Sequence, residues 1–299
     1  MSVHAINKGA AMPFQETEGL VKSVSVISTG TCEGHREHIN GSRKPALWWI
    51  FFGKRWVRMP INVFVIEHSN GLVLFDTGQD RAVITDLDYW PAGFTGTVMR
   101  NLFRFEIGPD ETLSRQLEKL GYSTDDVKKA VFSHLHLDHT GSIGEISQAD
   151  LIVSSEAWEH MLGVHPDREG VFRRDIELPG AKWQQIDFKP ADDPALAPFE
   201  KAYDLMGDGS MVLLPTPGHG EGSISMLIRH NNAPPLLLIG DLTYRTEFLE
   251  RFQFPGTGDK KKLRASFEKV LELKKRMQDL VILASHDPEA AETLSRSKI

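Results

Sequence analysis

Ser133-His134-Leu135-His136-Leu137-Asp138-His139-Thr140-Gly141 is the most informative segment of the chain, and it directly follows the apolar run Ala130-Val131-Phe132. Alternate side chains of an extended chain share one face, so the first two histidines and the aspartate can converge while His139 points away. For all four to meet, the chain must leave the extended conformation near Asp138, which Thr140-Gly141 makes easy. The pattern predicts a strand that runs into a loop of metal ligands.

Three more candidate ligands follow apolar, strand-like runs further along the chain. They are His219 after residues 213–218, Asp241 after residues 236–240 and His286 after residues 281–285. A strand presents the residue that follows it at the rim of a sheet, where several such residues can meet. Seven imidazole and carboxylate groups exceed the four ligands of a single tetrahedral zinc site. We therefore expect two divalent metal ions, with zinc as the default and iron, manganese or cobalt as the alternatives.

Composition narrows the class of protein. The 299 residues are 40% hydrophobic and 25% charged, which is typical of a globular protein, and we expect one domain over residues 1–299. A net charge of -7 argues against nucleic acid as a partner, because phosphate backbones require clustered Lys and Arg. The only cysteine, Cys32, lies far in sequence from every candidate ligand, so we expect metal to be bound through imidazole and carboxylate alone.

Targeting signals are not recognisable in the sequence. Residues 1–19 lack the charged stretch and apolar core of a secretory signal. No apolar run approaches the roughly 20 residues that a membrane-spanning helix needs. A cytoplasmic protein without membrane contact is the expectation.

Hydrophobic patterning predicts strands that alternate with helices. The predicted strands cover residues 24–28, 61–67, 72–75, 130–133, 151–153, 211–215, 224–228, 236–239 and 280–284. The predicted helices cover residues 111–120, with Asp110 as N-cap, and residues 260–277. This order indicates an α/β protein with sheets covered by helices. Residues 163–210, rich in Pro, Gly and Asp, are expected to form an insertion or loop region with weak secondary structure, able to cover a site.

The run from His134 to His139, followed by His219, Asp241 and His286 in that order, resembles the metallo-β-lactamase superfamily. The resemblance spans residues 21–286 and implies a four-layer αββα sandwich with the site at one edge. It assigns His134, His136 and His219 to one metal, and Asp138, His139 and His286 to the other, with Asp241 bridging. It also implies that Asp76, in Leu74-Phe75-Asp76-Thr77-Gly78, supports the ligands from outside.

Two contrasts select a branch of this superfamily. The β-lactamases proper usually have a cysteine in the second site and lack the bridging carboxylate, so antibiotic hydrolysis is disfavoured. Flavin-linked di-iron reductases generally carry Glu where His136 stands. The hydrolytic branch fits better, in which two cations share a water molecule and activate it as the nucleophile. Asp138 is then a candidate to carry a proton to the leaving alkoxide.

Two features resemble the quorum-quenching N-acyl-homoserine lactonases. Tyr244 lies three residues after Asp241, where a tyrosine of those enzymes hydrogen-bonds the substrate carbonyl or oxyanion. Residues 47–56 are dense in aromatic and aliphatic groups and should line an acyl pocket, a homodimer contact or the core. A small lactone or ester is thus the expected substrate. The long interval between His139 and His219 departs from compact lactonases and puts the ester class in doubt.

Two alternatives remain open. One is hydrolysis of thioesters or phosphoesters on the same scaffold, although the acidic charge counts against nucleases. The other is a non-catalytic or redox metal protein, against which His136 and the intact ligand set argue. The remaining histidines are interpreted as structural or surface groups: His4, His35, His38, His68, His160, His165 and His230.

Overall fold

The computed structural model describes residues 20–230 and 233–297. The prediction about a secretory signal concerns residues 1–19, which include His4 and lie outside the described residues. Within the described ranges, no helix combines the length and apolar character needed to cross a bilayer.

Two β-sheets form the centre of the protein. The seven-stranded sheet has the order β4-β1-β2-β3-β5-β6-β7, and its strands are β1 Val21–His35, β2 Trp56–His68, β3 Gly71–Phe75, β4 Phe103–Glu106, β5 Val127–Val131, β6 Asp150–Ser154 and β7 Lys182–Ile186. The six-stranded sheet has the order β13-β12-β11-β10-β9-β8, and its strands are β8 Lys189–Pro190, β9 Lys201–Asp204, β10 Met211–Pro215, β11 Ile224–Ile228, β12 Leu236–Leu238 and β13 Val281–Leu283. Strands β3, β5, β6 and β7 run parallel, as do β12 and β13, and the other pairs are antiparallel.

Helices lie at the chain crossovers and on the outer faces of the sheets. They are α1 Arg36–Asn40, α2 Ala46–Phe52, α3 Ala82–Thr85, α4 Gly93–Leu102, α5 Leu113–Lys119, α6 Leu137–Thr140, α7 Ser155–Met161, α8 Arg173–Ile176, α9 Thr246–Glu250, α10 Lys260–Arg276 and α11 Ala290–Arg296. The predicted N-cap of α5 is wrong. Thr112, rather than Asp110, accepts a hydrogen bond from the Arg115 amide, because Asp110 lies in a preceding 3-10 helix, Pro109–Glu111.

Alternation along the strands builds the layers. Met211 and Leu213 of β10 belong to the core between the sheets, whereas Val212 and Leu214 pack in a second core with Phe267 of α10. The first sheet has the same division, since one of its faces packs against α5 and α7. Burial of both faces explains why these strands are continuous apolar runs. The predicted αββα sandwich is confirmed.

Residues 163–210 join both sheets. β7 pairs with β6 at the edge of the first sheet, and β8 and β9 form the edge of the second. The expectation of weak secondary structure is therefore wrong for these segments. Their side chains are largely exposed and polar, which is common at sheet edges, so they carry little hydrophobic signal.

Candidate metal centre

The seven predicted ligands converge at one edge of the sandwich, where β5, β10, β12 and β13 end. His134 and His136 lie on the extended chain after β5, as expected from their spacing. The chain then turns immediately into α6, whose first turn carries Asp138 and His139. Gly141 permits this turn by close approach, because a Cβ there would lie 2.7 Å from the Asp80 amide nitrogen.

Three imidazoles form the first group of donors. His136 Nδ1 lies 2.8 Å from His134 Nε2 and 3.1 Å from His219 Nε2. Burial lowers the pKa of His134 well below its usual value, lowers that of His136, and brings that of His219 to about 3. Neutral imidazoles keep a lone pair on a ring nitrogen, which is the form that binds metal.

The second group combines imidazole with carboxylate. His286 Nε2 lies 3.3 Å from Asp138 Oδ2, and His139 Nε2 lies 3.8 Å from Asp138 Oδ1. Asp241 lies between the groups. Its Oδ1 is 3.5 Å from His139 Nε2, and its Oδ2 is 3.5 Å from His219 Nε2 and 3.3 Å from His286 Nε2. Asp241 therefore occupies the position expected of a bridge.

The donors fit a pair of cations. His139 Nε2 and Asp241 Oδ1 are buried 3.5 Å apart, and neither makes a hydrogen bond of good geometry, so a cation that both atoms bind would satisfy them. Burial alone would lower the pKa of His139 and His286. Asp76 and Asp241 nevertheless raise the pKa of His139 well above its usual value, and Asp241 has the largest part in raising that of His286. The site thus has an excess of buried negative charge, which divalent ions can compensate while displacing those protons.

Asp76 orients two of the ligands from outside the cluster. Its Oδ2 accepts a hydrogen bond from His139 Nδ1 at 2.8 Å, and its Oδ1 accepts from the Ser133 amide at 2.7 Å. Ser133 Oγ donates to Asp76 Oδ2 and lies 3.0 Å from His134 Nδ1. These contacts place the ring protons of His134 and His139 on Nδ1. The lone pair of each ring is then on Nε2, where it is free to bind a metal ion. His286 is oriented in the same way, since its Nδ1 donates to the Pro60 carbonyl at 2.8 Å.

Asp76→Asn is expected to weaken metal affinity by about 10- to 100-fold, because an amide supports these two tautomers less well than a carboxylate. A competition titration with a chromogenic chelator measures the change. The matched control is Asp279→Asn at an exposed position, which should bind metal as the wild type does. Unchanged metal affinity in Asp76→Asn would show that Asp76 does not orient the metal ligands.

Cys32 corrects one expectation from the sequence. Its Sγ lies 4.0 Å from His286 Nδ1, within the group formed by Cys32, Asp138 and His286. The antiparallel pairing of β1 with β2 sets Cys32 opposite Met59, next to the Pro60 carbonyl that His286 contacts. Cys32 is far from the candidate ligands in sequence but lies close to two of them in the folded protein, so the expectation that no cysteine lies near a ligand is wrong. Burial raises the pKa of the thiol, which favours its protonated form.

A cavity of about 390 Å³ opens onto the cluster. Tyr244 lines it, with its ring 5.8 Å from that of His219 and 5.7 Å from that of His286. The cavity has an apolar wall formed by Met59, Met99, Leu102 and Phe103. Part of the 163–210 region also lines it, through Arg168, Glu169 and Gly170.

Two of the histidines that were expected to be structural, His38 and His160, also line this cavity. The apolar wall and His38 come from elements that carry none of the seven candidate ligands.

The side chains of residues 47–56, the segment dense in aromatic and aliphatic groups, lie in two different environments. Trp49 and Ile50 of α2 are buried against Met99 and Leu102, two residues of the cavity wall. The other face of α2 is exposed, with Leu47 53%, Trp48 43%, Phe51 39% and Phe52 66% accessible. This segment supports the cavity wall from behind and presents a separate apolar surface.

Comparisons with known proteins agree with this geometry. The chain is 34% identical over 243 residues to N-acyl homoserine lactonase AttM of Rhizobium radiobacter, which covers 78% of this chain and 83% of that protein. A solved N-acyl homoserine lactone hydrolase with N-hexanoyl-L-homoserine at its catalytic metal centre superposes with a TM-score of 0.73 at 22% identity, covering 92% of this chain and 96% of that one. AidC, a dizinc quorum-quenching lactonase, superposes with a TM-score of 0.62 at 18% identity, covering 90% of this chain and 88% of that one.

A sequence model of the metallo-beta-lactamase superfamily matches residues 56–286, which include all seven candidate ligands. The match covers most of the chain, and it agrees with the layered fold and with the order of the ligands. The protein belongs to the metallo-β-lactamase superfamily.

Proposed function

We propose that the protein is a dinuclear metal-dependent lactonase that hydrolyses N-acyl homoserine lactones or related lactones. The observation that carries the proposal is a single cavity that joins the cluster of metal-type donors to the phenol of Tyr244 and to an apolar wall. Relatives named N-acyl homoserine lactonases support the substrate class.

In this proposal three of the candidate side chains would hold each cation, and a seventh would contact both. The ligands are His134, His136 and His219 for one cation, Asp138, His139 and His286 for the other, and Asp241 for both. Zinc is the proposed metal, because imidazole and carboxylate are among its common ligands. When bound, such a pair lowers the pKa of a water molecule towards neutrality and polarises the carbonyl under attack.

Asp138 and Tyr244 are the proposed catalytic residues of the chain. Asp138 borders the cavity, and its carboxylate can accept a proton from the attacking water and pass it to the ring oxygen of the lactone as the acyl–oxygen bond breaks. That oxygen becomes the hydroxyl group of the homoserine product. The phenol of Tyr244 can donate a hydrogen bond to the carbonyl oxygen as negative charge develops on it.

The apolar wall is proposed to hold the acyl chain. The cavity is lined by Met99, Leu102 and Phe103, which pack together, and by polar groups that include Arg168 and Lys262. An acyl chain gains free energy with each methylene group that the wall removes from water. We expect longer acyl chains to be preferred until the wall is filled.

A substrate panel tests the proposal. Zinc-loaded protein is compared on N-acyl homoserine lactones, simple lactones, thioesters, phosphoesters and a β-lactam, with kcat/KM measured for each. We expect the acyl homoserine lactones to rank first. A thioester or phosphoester that exceeds every lactone by tenfold or more would replace the proposed substrate class with that ester.

The exposed face of α2 is proposed to form a homodimer contact, because four large apolar side chains on one short helix are a large patch to leave in water. Trp48→Ala and Phe51→Ala should each weaken association by about tenfold or more, as aromatic anchors of interfaces do. Sedimentation equilibrium measures the change. KM for long acyl chains should stay near the wild-type value, because neither side chain lines the cavity. Leu120→Ala, at an exposed apolar residue of another helix end, is the control, and a wild-type monomer at all concentrations would exclude the contact.

A further inference from the structure

A hydrogen bond outside the proposed ligand set joins Tyr244 Oη to His38 Nε2 at 2.7 Å. The two residues are 206 positions apart in sequence, and both line the cavity at the metal cluster. Tyr244 is 3% exposed and His38 is 4% exposed, so water has little access to this contact. A buried partner of this kind controls where the phenol can direct its single proton.

The His38 ring is held firmly in this position. Its centroid lies 5.3 Å from that of Phe103 and 5.8 Å from that of Trp49, and the ring of Tyr244 packs 5.5 Å away. The His38 carbonyl accepts a hydrogen bond from the Gly256 amide at 2.7 Å, which attaches the short helix α1 to the chain that follows α9. The packing of the His38 ring and this backbone hydrogen bond therefore fix the position of His38 beside Tyr244 in the cavity wall.

The second ring nitrogen of His38 decides which group donates. Burial lowers the pKa of His38 to about 4, so the ring is neutral at ordinary pH, with one N–H and one lone pair. Nδ1 is buried and has no hydrogen-bond partner among the described residues. If Tyr244 donated to Nε2, the ring proton would sit on Nδ1 as a buried, unpaired N–H, and such orphaned donors are rarer in proteins than unpaired acceptors.

We propose that His38 is a positioning residue, which donates its Nε2–H to Tyr244 Oη and so leaves the phenol O–H directed into the cavity. The Nδ1 lone pair is then the unpaired acceptor. Donation to the phenol oxygen also polarises its O–H bond, because consecutive hydrogen bonds strengthen one another. This inference rests on the proposed function, in which that O–H meets the carbonyl oxygen of a lactone.

The tautomer of His38 tests the inference without any substrate. In zinc-loaded protein with nitrogen-15-labelled histidine, two-bond nitrogen–proton correlation spectra distinguish the Nε2–H from the Nδ1–H tautomer. The His38 signals are assigned by their loss in His38→Gln. We expect a neutral ring with its proton on Nε2. A proton on Nδ1 would overturn the proposal, because the phenol O–H would then donate its hydrogen bond to Nε2 of His38 and not into the cavity.

A double-mutant cycle tests the consequence for turnover. His38→Leu removes the donor and should lower kcat for an acyl homoserine lactone by about three- to tenfold, with KM and zinc content near wild type. His38→Gln returns an N–H donor near Nε2 and should recover most of the loss. In a Tyr244→Phe background, His38→Leu should change kcat by less than about twofold.

Each result has one interpretation. Losses that multiply in the double variant, or a His38→Gln variant as slow as His38→Leu, would show that His38 acts through packing alone and would overturn its positioning role. A wild-type protein that carries two zinc ions but opens no lactone would instead overturn the proposed function. In that case the tautomer measurement still decides whether His38 donates to Tyr244.

Discussion

Replacing Asp241 with alanine is expected to abolish metal binding and lactone hydrolysis together. Its two carboxylate oxygens lie within 3.5 Å of ligand nitrogens from both groups, so its loss removes a donor from each proposed cation. Even the loss of a partner that only supports a ligand weakens metal affinity by about 10- to 100-fold. Because Asp241 is itself a proposed ligand, its replacement by alanine should weaken metal affinity by more than roughly 100-fold. Elemental analysis after reconstitution and gel filtration measures metal per chain, alongside kcat/KM.

The control for this prediction is Asp279→Ala, at an exposed position away from the cluster. It should retain about two metals per chain and full activity. Circular dichroism and thermal unfolding of the apo forms separate a loss of metal from a loss of fold. If Asp241→Ala kept both metals, Asp241 would not be a bridge, and the remaining six donors would have to hold the cations alone.

Tyr244→Phe is expected to keep the metals and lose turnover. A donor that acts alone on a developing oxyanion typically contributes ~10²–10³ in kcat. Here a cation shares the oxygen, so we expect a loss of roughly ten- to a hundredfold, or about 1.4–2.8 kcal/mol in the barrier. Steady-state kinetics with matched metal analysis measures it. The loss should fall on kcat rather than KM, because the charge on the oxygen grows only in the transition state.

Tyr203→Phe is the matched control, because Tyr203 belongs to β9 in the second sheet and not to this cavity. It should leave kcat at the wild-type value. Wild-type turnover in Tyr244→Phe with full metal occupancy would remove Tyr244 from the catalytic residues. The lactonase proposal would then depend on the metal cluster and the relatives alone.

Much of the fold could be predicted because buried strands carry an unambiguous pattern. β10 and β11 have the predicted bounds, since each is a mainly apolar run buried on both faces, the first ending at Pro215 and the second followed by Arg229. β1 is far longer than predicted. Its last third, Thr31 to His35, is largely polar in sequence and becomes a strand because it pairs with β2 on one side and β4 on the other. Such pairing comes from tertiary structure and leaves little local signal.

The candidate ligands could be predicted for a related reason. Each follows a strand whose apolar run is visible in the sequence, so the common rim of the two sheets brings them together. Cys32 and His38 come from β1 and α1, which precede the ligand segments by about a hundred residues or more. Their approach to His286 and Tyr244 depends on long-range packing that spacing along the chain does not reveal.

Isotope labelling identifies the oxygen atom that attacks the lactone. Zinc-loaded protein is incubated with an N-acyl homoserine lactone in oxygen-18-labelled water, and the product is identified by mass spectrometry with fragmentation. Attack of activated water on the carbonyl predicts a ring-opened N-acyl homoserine with one labelled oxygen in its carboxylate and an unlabelled hydroxyl group. An intact lactone in the presence of protein that carries two zinc ions, or label in the hydroxyl group, would contradict the account.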